Sequence, residues 1–452
     1  MMTSSDLLPG KSLSELLAGI LVDTEIPSVM IRSITSNSRE VTQDALFIAL
    51  EGTQVHGIDF AIDAAKSGAA VILYDALDEY CQQRIPLLSK QVKTQWLGVD
   101  HLNRLNGEIV SRFYGEPSQQ MTIIGVTGTD GKTSVTHLLT QALGRLGQIV
   151  GSIGTLGYGI GNQLTQTTHT TPDAVSLQSY FYEFQQKDCK YVVMEVSSHA
   201  LDQYRVSGCN IDIAVLTNLG RDHLDYHQSV EQYAAAKARL FNDFELSGRV
   251  LNLDDPFGQQ LAASFNDEQM IRYSAGQIED SDVEVQLAER VITPHGQDIK
   301  ALTTLGEIHA HTHLMGDFNI DNTLACIATL ISLGFNREQI NQAVAELTPI
   351  PGRMEKFASE SAYPAVVVDF AHTEQALRAC LRTSRQHTKG RLWCVFGCGG
   401  DRDPGKRSGM GRVAEQLADR VIVTDDNPRT EPADQIVRDI LLGMENPDRV
   451  SV

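Results

Sequence analysis

Residues 123–133 read IIGVTGTDGKT. A short apolar run passes into a loop of threonine and glycine, and Lys132-Thr133 opens a helix. Behind it Val135, Leu138, Leu139, Ala142, Leu143 and Leu146 recur at i, i+3, i+4, i+7, i+8 and i+11, one face of an α-helix. Strand, glycine loop and helix N-terminus in this order predict an α/β fold with a phosphate cradle. The loop N–H groups and the helix dipole favour an anion, Lys132 adds a point charge, and the Thr133 hydroxyl can hold Mg²⁺. The usual phosphate-loop spacing asks for a glycine five residues before Gly131, where this chain has Val126; the nearest glycines are Gly125 and Gly128. A plain glycine turn before an ordinary helix is the alternative, and the flanking strand and helix favour nucleotide binding over it.

The chain of 452 residues is too long for one core, so two to four domains are expected. Its net charge of −20 disfavours non-specific nucleic-acid binding. The same field repels anionic substrates, so a phosphate or carboxylate site must bring its own Arg, Lys and metal. No apolar run approaches the ~18 residues of a membrane span. The N-terminus carries Asp6 and Glu15 around a short apolar stretch, without a basic start, which argues against a secretory leader. Seven cysteines are scattered without a CxxC pair. Cys394 and Cys398 flank a strand end without a second ligand pair. A reduced, cytoplasmic protein without structural zinc is expected.

Punctuation divides the chain at about 105 and at Pro349-Ile350-Pro351-Gly352, giving parts 1–105, 106–349 and 350–452. In the last part AVVVDF (365–370), RLWCVF (391–396) and RVIVT (420–424) alternate with helical stretches, the pattern of a parallel sheet with crossover helices. Ligands of such sheets sit beyond the carboxyl ends of the strands. The clusters Asp369/His372, Asp401/Arg402/Asp403 and Asp425–Arg429 all fall at such ends.

Further candidates stand in the middle part. Strand YVVMEV (191–196) ends at Glu195, where a second strand beside a phosphate loop often supplies a Mg²⁺-directed carboxylate; capping of the next helix is the alternative. In IAVLTNLGRDHLDYH (213–227), His223 and His227 are spaced i, i+4, a spacing that by itself says little about metal. His309, His311 and His313 alternate with Ala310 and Thr312, as on a strand that shows its histidines to one solvated face. Lys237 in YAAAKARLF (233–241) reads as a helical lysine among small residues.

Together these segments resemble one family, the Mur ligases, in their tripeptide-synthetase branch. The resemblance spans about Ser36 to Met444. It rests on GVTGTDGKTS, TTPDA, MEVSSHAL, LTNLGRDHLDYH, AAAKARLF, GDFNIDN, PGRME, VVVDFAHTEQAL, FGCGGDRDPGKR and TDDNPRTE, in that order. It implies three α/β domains: an N-terminal uridine-nucleotide domain, a central P-loop-like ATPase with a mainly parallel sheet, and a C-terminal Rossmann-like domain. It implies a cytoplasmic, monomeric ligase that joins meso-diaminopimelate to UDP-MurNAc-L-Ala-D-Glu through an acyl phosphate, with ATP as co-substrate and Mg²⁺ as cofactor. No nucleic-acid or membrane partner is expected.

The resemblance also implies roles. Gly128, Thr129, Asp130, Gly131, Lys132 and Thr133 match the phosphate loop, and Asn319, Arg353, Asp369 and His372 the rest of the ATP site. Thr133, Glu195 and His223 match metal ligands. Lys237 matches a lysine that is carbamylated in the family and then helps hold a second Mg²⁺; with Lys132 and His223 it makes up the catalytic set. Ser38 and Gln54, in the Gln54–Gly57 turn, match uridine-nucleotide contacts. Thr170, Thr171, Ser197, Gln203 and Arg205 match positions around the muramoyl dipeptide. Arg402, Asp426, Asn427, Pro428 and Arg429 match the diaminopimelate site, where arginine suits a distal carboxylate through bidentate pairing.

Three residues depart from the family pattern. Asp130 stands where Asn is usual, which should weaken ATP binding or demand more Mg²⁺ unless it points away. Phe370 replaces a common Tyr and Glu374 a common Pro. The family's GKGHE motif has no counterpart, so the last domain is expected to lack its final part. A lysine-adding or folylpolyglutamate-type ligase, or a catalytically impaired nucleotide-binding form, are the alternatives.

Overall fold

The computed structural model describes residues 10–22, 25–52, 55–161, 163–265, 268–276, 283–293, 296–357 and 364–452. The chain forms two compact units, one of residues 1–272 and 328–334, the other of 273–327 and 335–452.

The first unit opens with a four-stranded parallel sheet in the order Ser33–Thr35, Ala45–Ala49, Ala69–Asp75, Gln95–Val99. Alternate residues of its strands serve two cores. Leu46, Ile48, Val71, Leu73, Leu97 and Val99 pack with Ile109, Val110 and Phe113 of the helix Leu102–Tyr114. Phe47, Ala49 and Ile72 pack instead with Ala61, Ala64 and Cys81. Burial on both faces explains why these strands read as continuous apolar runs rather than as polar–apolar alternation.

Next comes the sheet that carries the phosphate loop. Its order is Gln163–Thr165, Gly157–Ile160, Val150–Gly154, Tyr191–Glu195, Thr122–Thr127, Ile213–Leu216, Gly248–Asn252. The strands from Val150–Gly154 to Gly248–Asn252 run parallel, with two antiparallel pairs at one edge. Thr122–Thr127 lies between two partners in a register that pairs Glu195 with Val126 and Leu216 with Thr127. Three parallel strands therefore end level, and whatever follows each one gathers at a single edge.

In the second unit, strand Val285–Thr293 pairs antiparallel with Gly296–Thr303, and that strand with Gly306–Thr312. Trp393–Phe396 and Arg420–Val423 pair parallel, with the helix Gly405–Leu417 between them in sequence. The expected third parallel strand behaves differently. Val366–Val368 pairs antiparallel with Glu355–Phe357 and forms a separate ribbon. A nearby antiparallel segment satisfies its backbone, a demand that an apolar run does not reveal.

Candidate active site

The phosphate loop is a tight construction around two glycines. Gly128 has φ +151°, and a Cβ there would lie 1.8 Å from Thr217 Oγ1; Gly131, with φ +83°, precedes the helix Lys132–Arg145. Only glycine combines these angles with so close an approach. Thr217 and Asn218, directly after the neighbouring strand, hold the loop in place. The Thr217 hydroxyl donates to the Asp130 carbonyl at 2.6 Å, and the Asp130 N–H donates to Asn218 Oδ1 at 3.0 Å. Thr129 Oγ1 accepts from the Gly220 N–H at 2.7 Å and contacts the Tyr233 hydroxyl at 3.1 Å. Thr217 and Asn218 lie within LTNLGRDHLDYH and Tyr233 heads YAAAKARLF, but sequence reading assigned none of them a role. Asp130 itself is exposed.

Two lysines converge on this loop. Lys132 Nζ donates to the carbonyls of Gly128 (2.9 Å) and Thr129 (2.8 Å), and Lys237 Nζ to that of Gly128 (2.6 Å). Lys237 is 1% exposed, from the inner face of the helix Val230–Asn242, with its ammonium 4.5 Å from the Tyr233 ring centre. Burial, reinforced by the Lys132 charge, pulls its amine from the ordinary 10.5 down to about 6. Burial lowers Lys132 as well, opposed by Glu195 and Asp130.

Glu195 is buried at 1% exposure at the end of its strand. Its carboxylate accepts from the Thr133 hydroxyl (2.9 Å), the Thr155 N–H (2.8 Å) and the Thr155 hydroxyl (3.2 Å). Burial raises its pKa, and the Thr155 and Thr133 donors and Lys132 oppose that rise. Gly154 leaves room for it, since a Cβ there would lie 2.3 Å from Glu195 Oε1. An oxygen donor set of a threonine hydroxyl and a carboxylate, on a phosphate loop, suits a hard cation such as Mg²⁺.

A second network adjoins it. Thr171 Oγ1 donates to the Glu195 carbonyl (2.9 Å) and accepts from the Ser197 N–H (3.0 Å), and Arg205 donates to the Thr171 carbonyl (3.0 Å). Arg205 also grips Gln203 Oε1 at 2.6 and 2.9 Å, and Gln203 reaches the Tyr226 hydroxyl at 3.1 Å. Thr170 joins through Thr155, hydroxyl to hydroxyl at 3.1 Å. Thr170, Thr171, Ser197, Gln203 and Arg205 thus form one connected surface with Glu195.

His223 sits at the head of the short helix Leu224–His227 in the left-handed region (φ +52°). Its ring lies 6.2 Å from that of Tyr233 and 4.8 Å from that of His199. The i, i+4 pairing with His227 does not make a shared ligand set. His227 is buried and bonds Ser198 Oγ at 2.9 Å, while His223 is about half exposed. His199, within MEVSSHAL, is a member of this aromatic cluster that motif reading left unassigned.

Family comparisons agree with this geometry. The Mur ligase catalytic domain matches residues 30–114, the Mur ligase middle domain 126–330, and the Mur ligase glutamate ligase domain 352–452. The chain belongs to the Mur ligase family. It is 44% identical over 422 residues to an Ectopseudomonas mendocina protein named UDP-N-acetylmuramoyl-L-alanyl-D-glutamate--2,6-diaminopimelate ligase, covering 93% of this chain and 84% of that one. A Coxiella burnetii protein of the same name is 43% identical, over 94% of this chain and 86% of its own. A solved structure with that name superimposes with a TM-score of 0.76 at 31% identity, over 98% of this chain and 88% of that one. An Acinetobacter baumannii MurF structure, at 18% identity and a TM-score of 0.65, shares the fold. The expected loss of the last domain's final part is not borne out by the comparisons; the glutamate ligase domain matches residues 352–452, and the chain covers 84% of the Ectopseudomonas mendocina protein.

The remaining positions of this Mur ligase fall into three groups. Ser38 lies half-buried in the 3₁₀ turn Ser38–Glu40 of the first unit; Gln54 lies outside the described residues. In the second unit, Asp369 accepts from the N–H groups of Met354 and Ala371 at 2.8 Å each, and the Phe370 N–H donates to the Gly352 carbonyl at 2.9 Å. These bonds draw Arg353, Asp369 and His372 into one pair of loops. Asn319 is buried at the start of the helix Phe318–Ser332, donating to the Met315 carbonyl at 2.8 Å. The loops after the two parallel strands are zipped together: the Gly400 N–H donates to the Asn427 carbonyl at 2.9 Å, and Arg429 donates to the Gly400 carbonyl. A Cβ on Gly400 would lie 1.9 Å from the Pro428 carbonyl. Behind them Arg407, 1% exposed, binds Glu431 and Asp439 at 2.9 Å each and stiffens the pair. Arg402 is exposed beside them.

Proposed function

We propose that this Mur ligase uses ATP to join meso-diaminopimelate to the D-Glu residue of UDP-MurNAc-L-Ala-D-Glu. The observation that carries the reading is the hydrogen bond of Thr133 to the buried Glu195 at a lysine-flanked phosphate loop, in a chain 44% identical to a protein of that name. Residues 1–105 are assigned to the uridine nucleotide, with Ser38 and Gln54 as contacts, 106–349 to ATP and the reacting carboxylate, and 350–452 to the amino acid. The enzyme is taken to work as a monomer in the cytoplasm.

A carboxylate is a poor acylating agent, and phosphorylation gives it a leaving group. The γ-carboxylate of D-Glu attacks the γ-phosphorus of ATP, and the bond to the ADP oxygen breaks. The amine of the incoming amino acid then adds to the acyl phosphate carbon and loses a proton, and inorganic phosphate leaves. Several anions must therefore share one site, and the residues around the loop offset their repulsion. Mg²⁺ would supply Lewis-acid neutralisation of phosphate charge from Thr133, Glu195 and His223. The N–H groups of Gly131, Lys132 and Thr133 at the helix N-terminus are assigned to the phosphates, those of Thr129 and Asp130 being taken by Asn218, and Lys132 holds its amine over the loop. Thr170, Thr171, Ser197, Gln203 and Arg205 orient the dipeptide, with Arg205 as its cation.

Lys237 has a further part in this reading. With its amine at about 6, it is largely neutral at pH 7 and nucleophilic. Its lone pair attacks carbon dioxide, an N–C bond forms, an electron pair moves to oxygen, and a proton leaves to solvent. The product is an anionic carbamate in place of a buried, largely uncharged amine. In the second unit, Asn319, Arg353, Asp369 and His372 are assigned to ATP. Arg402 and Arg429 are assigned to the distal carboxylate of diaminopimelate, and Asp426, Asn427 and Pro428 to its positioning.

Isotope transfer tests the chemistry. With ¹⁸O in the D-Glu γ-carboxylate, one label should appear in the inorganic phosphate and none in ADP. Unlabelled phosphate would rule out the acyl phosphate route.

A further inference from the structure

One donor set in the second unit has no part in the reaction above. Along the strand Gly306–Thr312, Ile308, Ala310 and Thr312 are buried while Glu307, His309 and His311 are exposed. His313 follows at the same parity. The antiparallel register sets Asp298 directly opposite His311, and its carboxylate contacts His311 Nδ1. A carboxylate only accepts, so in the neutral ring Nδ1 carries the proton and Nε2 keeps its lone pair. A carboxylate behind the far nitrogen is the arrangement that orients a metal-ligating histidine. The His313 ring lies 6.0 Å from that of His311, at 76°. Two imidazoles sharing one zinc through Zn–N bonds of ~2.0–2.1 Å have ring centres about 5–6 Å apart. The observed separation of the two rings lies at the upper end of that range.

A second cluster provides the contrast. His56, Asp78 and Cys81 hold their ligand atoms within 4.8 Å of one another in the first unit. There His56 Nδ1 accepts from the Ile58 N–H at 3.1 Å, so Nε2 carries the proton and directs it at Asp78 Oδ2, 2.7 Å away. Burial, with Asp78 beside it, pushes the Cys81 thiol up to about 12. That group is a hydrogen-bonded joint between a turn and a helix, with no lone pair of the ring turned toward an ion.

We propose that His311 and His313 chelate one divalent transition-metal ion of the zinc–nickel class, with Asp298 as positioning carboxylate and water completing the coordination. Two imidazole donors with no protein oxygen ligand favour this class over Mg²⁺, whose assigned site offers the oxygens of Thr133 and Glu195 beside the single imidazole of His223. The site is thus chemically separate from the cation site assigned to Thr133 and Glu195. His309 shares the face, with its Nε2 3.7 Å from the Glu307 carboxylate, and is not a member of the pair.

Equilibrium dialysis of the full chain against Zn²⁺, with Mg²⁺ in excess, tests the site. His311→Gln and His313→Gln should each reduce bound zinc by one equivalent. Asp298→Asn should weaken that equivalent about 10–100-fold, and His309→Gln should leave it in place. All four substitutions lie on a largely solvent-facing surface, and unchanged thermal midpoints establish that the variants fold. An unchanged zinc count in the His311→Gln/His313→Gln double variant would overturn the proposal, and so would loss of the equivalent on His309→Gln alone.

Discussion

Replacing Lys237 by methionine should stabilise the folded chain, by an amount that shrinks as pH rises. The side chain is 1% exposed, and the carboxylates of Asp222 and Asp130 offset only part of the burial and of the Lys132 charge. Its amine titrates at about 6 in the folded state, against an ordinary value of 10.5. Between those values the unfolded chain holds a proton that the native chain has released, so stability rises with pH through that window. The penalty is complete below about 6 and absent above about 10.5. At pH 7 about 3.5 pH units separate the solution from the unfolded value, or roughly 5 kcal/mol at about 1.4 kcal/mol per unit. Methionine keeps the volume and removes the titration, but forfeits the hydrogen bond to the Gly128 carbonyl, worth about 1 kcal/mol. That carbonyl retains Lys132 as a donor at 2.9 Å. The expected net gain is about 4 kcal/mol at pH 7 and about 1 kcal/mol at pH 9. Thermal midpoints of both proteins, measured from pH 6 to 9.5 in carbon-dioxide-depleted buffer, give the comparison. A difference that does not vary with pH, or a methionine variant less stable at pH 6, would refute the reasoning. The same substitution should abolish ligase turnover, which makes Lys237 a residue kept for activity at a cost in stability.

Four other outcomes follow from the geometry. Gly128→Ala should abolish ATP binding in equilibrium measurements and lower stability by about 1–3 kcal/mol, because the added Cβ meets Thr217 Oγ1 at 1.8 Å. Glu195→Gln should cut the turnover number at least ~100-fold while leaving the thermal midpoint within a few degrees, since the amide oxygen can accept from the Thr155 N–H in place of Oε1 while the NH2 group in place of Oε2 donates to the Thr133 and Thr155 hydroxyls, and the charge is lost. Arg429→Ala should raise the KM for diaminopimelate by a free energy of about 2–5 kcal/mol and leave the KM for ATP unchanged; equal effects on both would deny it the distal carboxylate. Asp130→Asn should change ATP affinity by less than about threefold, because an exposed charge is screened by water and salt.

The phosphate loop was legible because strand, glycines and helix are consecutive in the chain, and each leaves a local mark. Glu195 was legible from its place at a strand end, and the Lys237 helix from its small, periodic residues. The support around them was not. Thr217 and Asn218 reach the loop only because Leu216 pairs with Thr127 in the sheet, a register that no local pattern encodes. Tyr233 and His199 are brought in by packing between helices distant in sequence. Composition alone gave Lys237 no role and the resemblance supplied one; its burial was not legible, since a helix of alanines hides which face is inward. The ribbon at Val366–Val368 reads as one more parallel strand for a similar reason: an apolar run states that a strand forms and is silent on its partner.

The central claim is tested most directly by phosphate release from Mg·ATP and UDP-MurNAc-L-Ala-D-Glu, with meso-diaminopimelate and L-lysine supplied in parallel reactions and the products weighed by mass spectrometry. Release with diaminopimelate alone, matched mole for mole by the tripeptide product, is the predicted result. Release with lysine in its place, or no release with either amino acid while ATP still binds, would contradict it.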